Sequence, residues 1–426
     1  MPLDVVPVRA WVDPARVFAA FARISAHVFW LDAGPEAMQG WSWVGIGTPE
    51  HDPERVRAVR IDRTQEPRRG GPFRGGWVGW LGYEDAATRA GAPAFPSDEA
   101  TAATWVRVTR FVAFDHRARK VWSFGGPLPQ APFDFDDVDG ASRQASARHT
   151  PDEYGALIGR CRAAIREGDA YQLCLTTRFT VDGDVDPVAV YSRLRRATPA
   201  HHGGVVIAGD TALVSASPER FLEVSDGTVR TRPIKGTRPR GADADADARL
   251  ADELRESEKE RAENVMIVDL MRNDLSRICA PASVAVESLL DIESYPAVHQ
   301  LVSTVSGRAR PETTVGDLLA ATFPAGSMTG APKLSAMTIL HGLEKAPRGV
   351  FAGAFGWVGD DGALDLAMVI RSIVTHPGGA YVGAGGGITW RSDAASEVAE
   401  VAVKAAGPLR ALGAELPTGW QSRLFG

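Results

Sequence analysis

Glycine alternates with aromatic and aliphatic residues through Gly75-Gly76-Trp77-Val78-Gly79-Trp80-Leu81-Gly82-Tyr83. A strand built this way lies close against other backbone, because each glycine leaves space that a side chain would fill. Three more β-type runs share the first 145 residues: His27-Val28-Phe29-Trp30-Leu31, Gly40-Trp41-Ser42-Trp43-Val44-Gly45 and residues 104–115. Sheet is therefore expected here, packed into the same body as the rest of the chain. A polar, proline-bearing stretch at 127–150 reads as a linker. A helix follows over Pro151–Glu167, closed by Gly168 in the position that ends helices. Strand 171–180 and helix 187–197 come next. Residues 241–247 read as an Asp/Ala-rich surface loop. Strands at 349–358, 364–374 and 381–388 precede a last helix.

Composition narrows the partners. The chain has 426 residues, 44% hydrophobic, enough for a large core. Its net charge of −6 supplies no general basic field for nucleic acid or anionic membrane. Cys161, Cys174 and Cys279 are scattered, without metal-ligand spacing or a disulfide framework, which suits a reducing compartment. Residues 1–30 lack a signal-peptide pattern, and no apolar run reaches about 18 residues. The expected location is cytoplasmic.

Chemistry enters with Lys235, in Pro233-Ile234-Lys235-Gly236-Thr237. It follows Glu219 of Ser217-Pro218-Glu219, and a hairpin at Asp226-Gly227 would return the chain alongside its own first run. An amine nucleophile and a general acid could then share a cavity, although a lysine beside glycine is ordinarily a solvated surface residue. Two helical segments each carry glutamates three residues apart: Glu260 and Glu263, then Glu397 and Glu400. Each pair lies on one helix face. Four carboxylates from two helices suit a hard cation such as Mg²⁺, and solvated acidic faces are the plainer alternative. Apolar neighbours (Val265 to Leu270, and Val398 to Ala402) favour burial, where carboxylates need a partner.

Other segments are less specific. Gly326-Ser327-Met328-Thr329-Gly330-Ala331-Pro332-Lys333 fails the phosphate-loop pattern, because Pro332 precedes the lysine and Leu334 follows it. Its amides could still meet an anion, or form a plain helix-entry turn. The run Gly383-Ala384-Gly385-Gly386-Gly387 lacks a dinucleotide fingerprint and instead allows close approach of a ligand. Arg371 is expected on a buried strand facing a carboxylate. Lys404 shares a helix face with Glu400, as a ligand-binding group or a simple surface pair. No cysteine sits on a nucleophile elbow, so any glutamine-derived ammonia has to come from another chain.

Taken in order, GDAYQL, SPE, AENVMIVDLMRNDL, LVSTVSG, FPAGSMTGAPK, RGVFAGAFGWV, Ile370-Arg371 and GAGGGI resemble the chorismate-utilising enzymes over nearly the whole chain. That family includes anthranilate, aminodeoxychorismate, isochorismate and salicylate synthases. The resemblance implies an α+β fold, with two antiparallel sheets face to face and helices outside. It divides the chain into an N-terminal region (1–145), a chorismate-binding catalytic region (146–412) and a C-terminal tail (413–426). Gln172 stands where water-using members carry a lysine base, so this chain resembles the ammonia-using ones. Lys235, where anthranilate synthases carry alanine, resembles the aminodeoxychorismate branch.

The resemblance also implies the parts of the site. Mg²⁺ would be held by Glu263 and Glu400, with Glu260 and Glu397 in support. Arg371, Lys404, Gly385, Gly386, Gly387, Ser327, Thr329, Phe351, Gln172 and Gln300 would line the chorismate site. Glu219 would be the general acid, and Lys235 the nucleophile at C2. Ammonia would come from a separate glutamine amidotransferase subunit. The product would lead to para-aminobenzoate, for folate or for a secondary metabolite. Three departures stand out. Gln300 replaces the usual histidine, Ala399 replaces a carboxylate, and Phe29-Trp30-Leu31-Asp32-Ala33 departs from the tryptophan-sensing element, so feedback by tryptophan is expected to be weak or absent. Anthranilate synthase component I and a non-catalytic family member remain as other readings.

Overall fold

The Gly-aromatic run forms the strand Gly76–Leu81 in the computed structural model, which describes residues 3–61, 70–96, 102–129, 143–295 and 298–423. It pairs with Ala354–Gly359 on one side and Ala103–Asp115 on the other. A Cβ added at Gly79 would stand 1.9 Å from the Thr104 carbonyl oxygen, so only glycine lets these backbones meet.

From that centre the antiparallel pairing runs outward in two directions. One leads through Trp41–Glu50, His27–Asp32, His202–Ala208, Thr211–Ser217 and Ser372–His376 to Gly379–Ile388 and Gln172–Asp182. The other leads through Leu364–Met368, Arg220–Ser225 and Thr228–Thr231 to Val298–Arg308. Among the described residues, twenty strands join in this sheet. It doubles back on itself, with the Trp43 and Trp357 rings 5.8 Å apart between the layers. Tyr381 closes the other end by accepting the Val350 N–H at 3.0 Å. Phe29, Trp80, Phe111 and Phe355 fill the space between. The α+β class with antiparallel layers and outer helices is the one the resemblance implied.

Two helical covers complete the body. Pro151–Glu167, Pro187–Ala197 and Ala394–Ala411 bury Ile158, Leu194, Val401 and Leu409 against one face. Glu258–Ser276 and Val315–Thr322 bury Ile267, Val268, Met271 and Leu319 against another. Among the described residues, no helix is long and apolar enough to cross a membrane.

Several expected elements differ. The 241–247 loop already contains a helix, Ala244–Glu256, because Asp243 accepts the Ala246 N–H at 2.8 Å and caps it. The strand expected at 364–374 is two strands, separated where Arg371 adopts φ +51°. In the proposed linker, residues 130–142 lie outside the described residues. Beyond them Ser146–Ala147 pairs with Gln172–Asp182. The C-terminal segment docks through Trp420, 1% exposed against Tyr154 and Phe179.

A buried ion pair ties these parts together. Arg348, 2% exposed, donates to both Glu344 oxygens at 2.7 and 2.8 Å. The same guanidinium donates to the carbonyls of Met328 (2.6 Å) and Cys174 (2.8 Å). Glu84 accepts the backbone N–H groups of Arg348 and Gly349 at 2.5 and 2.9 Å. Removing one partner of such a pair leaves an uncompensated buried charge. Arg348→Met is therefore expected to lose about 3–5 kcal/mol of stability, read as a lower midpoint in urea unfolding. An unchanged midpoint would refute the role given to this pair.

Candidate active site

Lys235 sits on the strand Ile234–Pro239, half-buried, where pairing with Val298–Arg308 is interrupted by a bulge at Gly236. Gly236 has φ +76°, and a Cβ there would lie 2.6 Å from Leu254 and 2.9 Å from Glu260 Cγ. The bulge thus lets the helix Glu258–Ser276 bring its first glutamates against the lysine's strand. Lys235 acts electrostatically on Glu219, Glu263 and Glu400, so amine and carboxylates share one region.

Glu219 is 9% exposed. Its backbone N–H donates to Ser217 Oγ at 3.3 Å, and its carbonyl accepts the Met368 N–H at 3.0 Å. Burial pushes its carboxyl up to about 7, against the opposing pull of Lys235, the Ser327 hydroxyl and Lys404. A group poised there can donate a proton near neutrality.

The four glutamates have different surroundings. Burial raises Glu263 above the ordinary carboxyl value, with Lys235 and Lys259 opposing, and its Oε1 is buried without a hydrogen-bond partner. Glu397, 4% exposed, accepts the Ser392 hydroxyl at 2.8 Å. Glu400 is opposed by burial but held below its ordinary value by Lys404, whose Nζ is 2.8 Å away. Glu260 packs at Gly236. Among the described residues, no three acidic, His or Cys side chains already form a metal cage. Mg²⁺ typically takes one or two carboxylates plus water and substrate oxygens, which suits the partnerless Glu263 oxygen and its neighbours.

Lys404 also donates to the Gly385 carbonyl at 2.8 Å. Gly385 therefore turns its peptide groups away from the Gln172–Asp182 ladder, and by alternation so does Gly387. Pairing with Ser372–His376 stops at Val382, which leaves that edge of the glycine run facing no strand among the described residues. A Cβ at Gly386 would lie 3.1 Å from Glu397 Oε2, and one at Gly387 only 2.3 Å from Gln172 Nε2. Gln172 is fully buried, with both amide atoms unpartnered, and so is Gln300 Oε1. These amide atoms are left open to a ligand or to water.

One expectation needs correction. Arg371 does not end a strand. It occupies the left-handed turn between two strands, and among the described residues no carboxylate reaches ion-pair distance of it. Burial lowers its value, with Glu400 the opposing charge. The Thr329 hydroxyl donates its proton to the Ala325 carbonyl at 3.0 Å, so toward a ligand it could only accept. Phe351 packs against Gly383, where an added Cβ would be 2.1 Å from its ring, and forms apolar wall there.

Lys259 and Asn264 escaped the sequence reading. Asn264 Oδ1 accepts the Ser303 hydroxyl at 2.5 Å, joining the glutamate helix to the strand beside Lys235. The signal was their place in KERAEN, interleaved with the two glutamates. His299, beside Gln300, is structural. Its ring nitrogens contact Ser294 Oγ at 2.8 Å and Asp247 at 2.9 Å. A cavity of about 570 Å³ opens elsewhere, lined by Asp32, Trp43, His202, Arg220 and Tyr295, and it contains none of these candidates.

A family model described as chorismate binding enzyme matches residues 37–410. An aminodeoxychorismate synthase of Streptomyces pristinaespiralis is 38% identical over 95% of this chain, which spans 62% of that protein's length. Aminodeoxychorismate synthase component 1 of Klebsiella aerogenes is 38% identical over 77% of this chain and 75% of its own. The crystal structure of anthranilate synthase component I from Streptococcus pneumoniae superposes with TM-score 0.74 at 29% identity, covering 96% of this chain and 92% of its own.

The site predicts its own titration. The ordinary value for Glu219 is 4.5, against about 7 in the folded chain. The folded state binds this proton more tightly, so the group's contribution to stability is full below the unfolded value and is lost as pH rises through about 7. Wild type minus Glu219→Gln infrared spectra are expected to show a protonated carboxyl band vanishing near that pH. A band already absent at pH 5.5 would refute the assignment.

Proposed function

Because the chain belongs to the chorismate-binding enzyme family, we propose that it aminates chorismate at C4 as the synthase subunit of an aminodeoxychorismate synthase. The carrying observation is Lys235 within electrostatic reach of a Glu219 carboxyl held up near 7. Ammonia would come from a separate glutamine amidotransferase, and the name component 1 borne by the Klebsiella relative supports a partner subunit.

Each group has a role by its chemistry. Arg371, without a carboxylate partner among the described residues, and the outward N–H groups of Gly385 and Gly387 would take the enolpyruvyl carboxylate. Lys404 would help hold the ring carboxylate. Mg²⁺, held by Glu263 and Glu400 with Glu260 and Glu397 in support, would neutralise that ring carboxylate as the hydroxyl departs. The unprotonated Lys235 amine adds at C2, the ring double bonds shift, and the C4–O bond breaks as Glu219 delivers its proton. Ammonia, oriented by Gln172, then adds at C4, the double bonds shift back, and the C2–N bond to Lys235 breaks. Gln172 and Gln300 contribute amide contacts and no titrating group.

Similarity to an anthranilate synthase structure keeps ortho-amination with pyruvate loss as the second reading. Lys235 speaks against it, since that route requires no amine nucleophile there. Chorismate, ammonium and Mg²⁺ with the purified chain are expected to yield 4-amino-4-deoxychorismate by mass spectrometry. Direct appearance of anthranilate and pyruvate would defeat the proposal, and no turnover at all would favour a non-catalytic member. Glu219→Gln should lower kcat by roughly 10²–10⁴-fold, and Lys235→Ala should abolish product formation. At constant free ammonia, the wild-type rate should fall as pH rises past about 7, where Glu219 loses its proton.

A further inference from the structure

Lys404 and Lys235 have roles in the proposed reaction, but a third lysine enters the same field. Lys259 lies in the first turn of the helix Glu258–Ser276, whose start Ser257 caps. A cation there opposes the helix dipole, so the helix itself does not hold it. Its Nζ stands 3.5 Å from Glu397 Oε1, and its charge is also felt by Glu263, Glu400 and Glu260. The two ends of this pair differ in freedom. The Glu397 side chain is 4% exposed and fixed by Ser392, whereas the Lys259 side chain is 49% exposed on a flexible stem. Lys404 is anchored twice, to Gly385 and to Glu400, and has no such freedom.

We propose that Lys259 is an internal counter-ion of the carboxylate cluster, seated on Glu397 until a divalent cation displaces it into solvent. This rests on the metal reading of the site given above. A divalent ion near Glu397 repels the ammonium on the same carboxylate, and of Lys259 and Lys404 only the half-exposed Lys259 has room to withdraw. Lys259 therefore lowers metal affinity while keeping the metal-free cluster from repelling itself.

Two measurements test this without turnover. Calorimetric titration with Mg²⁺ should give a Kd about tenfold tighter in Lys259→Met, within the roughly 5–150-fold range of coupled binding. Lys259→Arg should stay near wild type. An unchanged or weaker Kd in the Met variant overturns the inference. In the wild-type chain, acetylation of Lys259 followed by mass spectrometry should quicken severalfold at saturating Mg²⁺, and an unchanged or slower rate overturns it. A wild-type chain that binds no Mg²⁺ overturns the metal reading itself, whereas product identity tests the amination separately.

Discussion

The guanidinium of Arg348 ties together segments distant in sequence at one buried point. It binds Glu344 at a helix end, the carbonyl of Cys174 two residues after Gln172, and the carbonyl of Met328 beside Ser327. Glu84, from the N-terminal region, receives the backbone on either side of the same arginine's carbonyl. Desolvating these charges is costly, and only the full set of hydrogen bonds offsets it. Alongside the pairing of Gly330–Ala331 with Leu173 and Gln172, this buried cation fixes the strand carrying Gln172 against the turn carrying Ser327.

Around the site itself, charge is balanced at several levels of freedom. Lys404 is locked, Lys235 is half-buried on a bulged strand, and Lys259 reaches in from the surface. The carboxylates are graded in the same way. Burial raises Glu219 and Glu263, whereas Lys404 holds Glu400 down. Two similar side chains can thus serve as proton donor and as anion within one cluster.

Much of this was legible in the residues. The Pro151–Glu167 helix, capped by Thr150 and ended by Gly168 at φ +90°, follows local rules, and so does the hairpin at Asp226-Gly227. The Glu260/Glu263 and Glu397/Glu400 spacing signalled two carboxylate-bearing faces. What escaped were properties set by tertiary contact. The left-handed turn at Arg371 exists because the chain leaves one strand partner for another, and no local pattern announces that. Thr329 looked available, but its hydroxyl closes its own turn. Lys259 drew no notice in the sequence, since Glu397, its partner, is 138 residues away.

The strand Gly379–Ile388 changes character halfway along. Up to Val382 it is laddered on both edges, and beyond that point one edge is bare. Its other edge stays zipped to Gln172–Asp182, so the outward amides of Gly385 and Gly387 keep the fixed spacing of alternate sheet residues, about 6.8 Å. A chemist designing blockers for this cleft would be matching a rigid ruler, and stiff planar acids cut to its interval should outperform floppy ones.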